Sequence, residues 1–180
     1  MSEQTDKLTL MYDAAAIDIR VRAMAAAINA RYAGGPLLVV GVLKGAFIFC
    51  ADLVRCLNMP VEVDFVRLAS YGKGTSGQSE IQFLKDVETP LAGRDVLIVE
   101  DIVDTGFSMS FLYEQFADRG AASISLAALV DKPERRKTTI LADFTGFYVP
   151  DAFIVGYGLD YAEKYRELPG IYILNVADLP

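Results

Sequence analysis

The chain has 180 residues, 53% apolar and 23% charged, which suits one folded domain with a sizeable core and is too apolar for a disordered chain. Its net charge of −7 argues against a general nucleic-acid surface, so an anionic ligand would need a local cluster of Lys, Arg or metal. There is no histidine, which removes Ser-His-Asp and Cys-His nucleophilic systems and imidazole metal sites, and leaves proton chemistry to carboxylates, Lys or Tyr.

In chain order, residues 1–7 are polar and carry no secretory apolar stretch. Residues 13–32 are Ala-rich with helical spacing, and Gly34-Gly35-Pro36 ends that helix. Residues 37–42 form a continuous apolar run, predicted as a buried strand, and 45–57 read as the next helix. That helix would hold both cysteines, Cys50 and Cys56, too far apart for an easy disulfide and expected as buried thiols in a reducing compartment. The longest apolar stretch, 36–54, is broken by Lys44 and Asp52, so no membrane span is expected and a cytoplasmic protein is. Residues 61–68 read as a strand, 70–79 as a mobile Gly- and Ser-rich loop, and 81–84 as a short strand. Residues 124–130, 153–156 and 171–175 supply later strands. Strands of Val, Ile and Leu alternating with helices predict one α/β domain, a parallel Rossmann-like sheet flanked by helices, with a small cap formed by the terminal segments. Sites in such sheets lie beyond the carboxyl ends of the strands, where Lys44, Glu100 with Asp101, Lys132 and Asp160 fall.

The most informative segment is Val96-Leu97-Ile98-Val99-Glu100-Asp101-Ile102-Val103-Asp104-Thr105-Gly106-Phe107-Ser108-Met109. Four apolar residues predict a buried strand with two acids at its end, followed by a turn and a helix over 109–118. Adjacent carboxylates beside a core are unfavourable unless they bind something. The hydroxyls and N–H groups after them lie where a helix begins, a natural cradle for phosphate. A sugar phosphate offers hydroxyls to one end and an anion to the other. Each residue also has a plainer reading. Asp104 would serve as an N-cap, Lys132 as one more exposed cation beside Arg135, Arg136 and Lys137, Phe153 as core, and Arg166 as part of a solvated charged stretch with Glu163, Lys164 and Glu167.

The segment from Val99 to Gly106 resembles the phosphoribosyl diphosphate motif of type I phosphoribosyltransferases. Leu43-Lys44-Gly45, Ser70-Tyr71-Gly72, Leu84-Lys85-Asp86, Asp131-Lys132-Pro133 and Val155-Gly156-Tyr157-Gly158-Leu159-Asp160-Tyr161 follow in the order of the hypoxanthine (hypoxanthine-guanine) phosphoribosyltransferases. The resemblance implies that fold and a purine salvage activity: a purine base and phosphoribosyl diphosphate give a nucleoside monophosphate and diphosphate. It further implies that Glu100 and Asp101 hold the ribose hydroxyls, and that Asp104 faces N7 of the purine as general base or acid, its acidity weakened by neighbouring carboxylates. Asp104, Thr105, Gly106, Phe107 and Ser108 would wrap the 5′-phosphate, and Lys132 would donate to O6 of a 6-oxopurine. Phe153 would stack on the base and Ile154 would meet its pyrimidine edge. Lys44, Gly45 and Arg166 would bind diphosphate, with a cis peptide between Leu43 and Lys44. Mg²⁺ would be held by Asp160 with Glu100 and Asp101. Ser70 and Tyr71 would root a lid over the site, and the enzyme would be a homodimer or homotetramer acting on small molecules, without nucleic acid or membrane. Phe107 departs from the small or basic residue common there, but only its backbone N–H need face phosphate. Two other readings stand beside this one: a non-catalytic sensor of phosphoribosyl diphosphate, and a transferase preferring xanthine or a pyrimidine.

Overall fold

A computed structural model describes residues 8–71 and 80–175. The first element, β1 (Leu8–Tyr12), leads into α1 (Ala14–Tyr32), which starts where Asp13 caps it by accepting from the Ala16 N–H at 2.8 Å. The helix ends at Ala33, whose left-handed φ of 42° is followed by Gly34 at 88°. Then come β2 (Leu37–Leu43), α2 (Phe47–Val54), β3 (Val61–Tyr71), β4 (Glu80–Lys85), β5 (Asp95–Val103), α3 (Phe107–Asp118) and β6 (Ser123–Asp131). A 3-10 turn at Pro133–Arg135 leads to β7 (Phe144–Tyr148), β8 (Ile154–Val155) and β9 (Ile171–Leu174).

Six strands form the main sheet in the order β4-β3-β2-β5-β6-β7. All neighbours in it are parallel except the edge pair β3 and β4. The α/β expectation is therefore met, with one antiparallel edge strand added. Alternation along the buried strands divides the core. Leu37, Val39, Leu97 and Val99 face Ile17, Ile28, Phe49 and Leu53 of α1 and α2, while Leu38, Val40, Val96 and Ile98 face Leu112 and Phe116 of α3. The expected cap exists as a three-stranded antiparallel sheet in the order β1-β9-β8, made from the two ends of the described chain. No helix among the described residues is long and apolar enough to cross a membrane.

Several boundaries differ from expectation, each for a local reason. The second helix is shorter than 45–57, because Asn29 of α1 donates to the Cys56 carbonyl at 3.2 Å and accepts from the Asn58 N–H at 3.0 Å, which closes its end. Cys56 therefore lies past the helix and is only partly buried, whereas Cys50 is buried and its thiol is pushed up to about 11 by desolvation. The strand expected to end at residue 68 runs to Tyr71, because β4 pairs with it as far as Ser70 with Ile81 and Tyr71 with Glu80. Ser70 and Tyr71 thus belong to a strand and not to a loop. The rest of the expected lid, residues 72–79, lies outside the described residues.

Candidate active site

The site is assembled where β5 passes into α3, beside the turn that follows β2. The apolar run of β5 does not stop at Val99: Val103 pairs with Asp131 of β6, so Glu100 and Asp101 lie inside the strand rather than beyond it. Each is only 8% exposed. The Asp101 N–H donates to Glu100 Oε1 at 3.2 Å and the Ile102 N–H to Asp101 Oδ1 at 2.9 Å. Burial raises both carboxyl groups above the usual carboxylate range, and the neighbouring Asp101 raises Glu100 further.

Asp104, Thr105 and Gly106 form the bend before α3, and with Glu100, Leu43 and Ser108 they line a cleft of about 220 Å³. The helix begins on Gly106, whose φ is 88° and which makes no side-chain cap, so Asp104 is not the N-cap its position allowed. A Cβ on Gly106 would lie 2.2 Å from Thr138 Oγ1, so glycine is required by space as well as by φ. Phe107 is exposed and stands outside the cleft lining. Asp104 is met by a guanidinium rather than by carboxylates: Arg135 Nε donates to it at 2.6 Å, and the same arginine reaches Asp151 at 3.0 Å. Arg136 secures the loop from behind. It donates to the Asp104 carbonyl at 3.1 Å and is ion-paired with Asp131, both side chains being nearly buried.

Lys132 is 7% exposed, contrary to the surface position a lysine ordinarily takes, and its ammonium donates to the Ala152 carbonyl. Desolvation lowers its pKa, opposed by Asp104 and Asp151 nearby. Phe153, expected in the core on its composition alone, is 42% exposed and meets Tyr161 edge-on at 5.3 Å. It stands just before β8, in which Ile154 is buried. Lys132 and Phe153 therefore exchange the environments that residue type alone assigns them.

The remaining predicted residues meet at the turn after β2. The Leu43–Lys44 peptide is cis. A Cβ on Gly45 would fall 1.6 Å from Asp101 Oδ2, and one on Gly158 would fall 2.1 Å from the Gly45 carbonyl oxygen. The two glycines thus stack the 156–160 segment on the Lys44 turn, and that turn on the carboxylate pair. Tyr157, beside this stack, donates to Asp52 of α2 at 2.5 Å. Arg166 donates to the Gly158 carbonyl at 2.8 Å and pairs with Asp160 at 2.9 Å. Lys44 pairs with Glu163 at 2.9 Å. Among the described residues no three acidic, thiol or imidazole side chains gather into a metal cage, so Asp160 is not joined to Glu100 and Asp101 in a closed set. Sequence reasoning missed Arg135, Arg136 and Glu163 as site residues. They look like solvated charges, and the contacts that bring them to the site, Arg135 and Arg136 with Asp104 and Glu163 with Lys44, are distant in sequence. A second cavity of about 410 Å³ lies elsewhere, between α1, α2 and residues 167–169.

The phosphoribosyl transferase domain model matches residues 9–162. The chain is 48% identical over 161 residues to a hypoxanthine-guanine phosphoribosyltransferase of Bacillus subtilis, covering 89% of each chain. The chain belongs to the phosphoribosyl transferase family, in its hypoxanthine-guanine branch. It is also 43% identical to a hypoxanthine phosphoribosyltransferase of Salmonella typhimurium, covering 89% of this chain and 91% of that one. A crystal structure of a hypoxanthine phosphoribosyltransferase from Staphylococcus aureus superposes with a TM-score of 0.93 at 36% identity, covering 99% of this chain and 98% of that one.

Proposed function

We propose that this enzyme, acting as a single domain, transfers the phosphoribosyl group of phosphoribosyl diphosphate to hypoxanthine, and to guanine, releasing diphosphate. The observation that carries this reading is the buried pair Glu100 and Asp101: Glu100 lines a cleft together with Asp104, Thr105, Gly106 and Ser108 of the helix-start loop, and Asp101 lies beside it against the Gly45 turn. A buried carboxyl group in that cleft with a second one beside it suits the two hydroxyls of a ribose, and their negative charge favours the oxocarbenium-like state that forms as the C1′–O bond to diphosphate breaks. The N–H groups and hydroxyls of Thr105, Gly106 and Ser108 would take the 5′-phosphate at the amino end of α3.

The base would lie over Phe153, with Lys132 donating to O6. Ala152 takes one of the three N–H donors of the buried Lys132 ammonium, and a 6-amino group, which cannot accept, would leave a donor facing the base unsatisfied where a 6-oxo group would bond it. Asp104 would face N7, and Arg135 must yield to the base as it enters. As the new bond to the ribose forms, the base loses a proton, and Asp104 is the carboxylate positioned to receive or direct it. Lys44, Gly45 and Arg166 would hold the departing diphosphate. Glu100, Asp101 and Asp160 supply hard oxygen donors of the kind Mg²⁺ takes together with substrate oxygens, and the ion would add positive charge against the leaving group. A cytoplasmic homodimer or homotetramer belongs to the same reading.

A panel of bases incubated with phosphoribosyl diphosphate and Mg²⁺ tests it. Nucleotide should form from hypoxanthine and guanine and not from adenine, a chelator should abolish it, and Lys132→Ala should erode the preference at the 6-position. Absence of nucleotide from every 6-oxopurine would refute the reading, and a product from xanthine alone would transfer it to the xanthine-preferring alternative.

A further inference from the structure

Within the diphosphate half of the site, one carboxylate has no part in the reading above. Glu163 Oε2 accepts from Lys44 Nζ at 2.9 Å and lies 3.3 Å from Arg166 Nη2, so a single oxygen joins the two cations assigned to diphosphate. These cations come from segments 119 and 3 residues away, and among the described residues Glu163 is the one acid ion-paired with both. The contact is built with some effort. Glu163 sits in a turn closed by mutual bonds of Tyr161 and Lys164, at 3.1 and 3.0 Å, in which both central residues have left-handed φ, 50° at Ala162 and 65° at Glu163. Asn-Gly is the ordinary occupant of such a turn, and Ala-Glu is strained there. The Glu163 N–H also donates to Asp160 Oδ2 at 2.8 Å, which fixes the turn to the acid proposed for the metal. The carboxylate itself stays 62% exposed, so it can swing out without opening the core.

We propose that Glu163 is an internal stand-in for diphosphate: it neutralises Lys44 and Arg166 while the site is free, is displaced when phosphoribosyl diphosphate enters, and returns to drive diphosphate out. The proposal rests on the assignment of Lys44 and Arg166 to diphosphate made above. Two cations held ready for a multiply charged leaving group bind the product as firmly as the substrate, and slow product release commonly limits turnover. A tethered carboxylate competing for the same donors weakens that grip. The competition raises no barrier to chemistry, since its bonds are remade by the ligand.

Titration calorimetry with diphosphate and Mg²⁺, beside steady-state kinetics, tests this on the whole protein. Glu163→Gln should bind diphosphate roughly two- to fivefold more tightly, the scale of one or two exposed ion pairs. It should show stronger product inhibition and a lower kcat, with the KM for the base unchanged. Glu167→Gln makes the same change of net charge without touching either cation, and should bind diphosphate as the wild type does. If Glu163→Gln binds diphosphate no more tightly than wild type, or if Glu167→Gln tightens it equally, the stand-in role fails and the assignment of the site survives. If the wild-type protein binds no diphosphate at all, both fall together.

Discussion

Glu100 and Asp101 each keep a carboxyl group 8% exposed, and neither forms an ion pair among the described residues. A buried group of that kind destabilises the free protein, and a ligand that hydrogen-bonds it recovers the loss. Glu100→Gln should therefore raise the melting temperature of the ligand-free enzyme by roughly 2–4 °C, the equivalent of about 1 kcal/mol in a chain of this size, while cutting kcat/KM by about a hundredfold or more. A fall in melting temperature would show that the carboxylate is structural. This pair was legible in the sequence because two acids after four apolar residues have no cheap solution inside a sheet. Lys132 was legible only through the family resemblance, since lysine is ordinarily exposed and its burial depends on Ala152, twenty residues on. Arg136 and Glu163 were not legible. The contacts that bring them to the site, with the Asp104 carbonyl and Lys44, span 32 and 119 residues, and their shorter pairs with Asp131 and Arg166 do not by themselves point to a site.

At the level of elements, the central strands declared themselves because burial on both faces demands continuous Val, Ile and Leu. The edge strand β7 did not. Its Gly146 reads as a strand breaker, yet a Cβ there would lie 2.4 Å from the Leu129 carbonyl oxygen, so the glycine is what lets β7 approach β6. β1 was missed as a strand because its burial follows the cap sheet and β9, not a local alternation. The same logic of close approach governs the turn after β2. Gly45 has no room for a side chain against Asp101, and the Gly158 segment is stacked on its other side. Gly45→Ala should displace the Asp101 carboxylate or the Lys44 turn and lower kcat/KM by about a hundredfold, with the melting temperature changed by only a few degrees, because neither Gly45 nor Asp101 belongs to the apolar core on either side of the sheet. Near-normal turnover in that variant would mean that the stack has no part in setting the site.

Across the whole molecule, Asp64 on one side and the pair Glu100 and Asp101 on the other pull the pH dependence of stability in opposite directions. Asp64 is buried, which alone would raise its carboxyl group. Instead the N–H groups of Thr89, Phe65 and Glu88 and the Lys85 ammonium hold it far below the usual carboxylate range. Its folded value is depressed, so its contribution is complete above the ordinary aspartate value of about 4 and is lost as the pH falls below that. Glu100 and Asp101 are raised in the fold, so the folded state holds protons that the unfolded state gives up, and stability declines as the pH rises from about 4 toward their elevated values. The part of the stability that depends on Glu100 and Asp101 should therefore fall as the pH rises from mild acid to neutrality, and the part that depends on Asp64 should fall as the pH drops below about 4. Calorimetry across pH separates the two arms. Glu100→Gln should flatten the decline toward neutral pH. Asp64→Asn should lose roughly 2–4 kcal/mol at pH 7, because four donors face an amide that cannot match the carboxylate, and its deficit against wild type should close as the pH falls below about 4. A deficit that persists unchanged at low pH would show that Asp64 acts by shape alone, and a melting temperature that rises steadily to neutral pH would show that the carboxylate pair ionises at no cost to the fold.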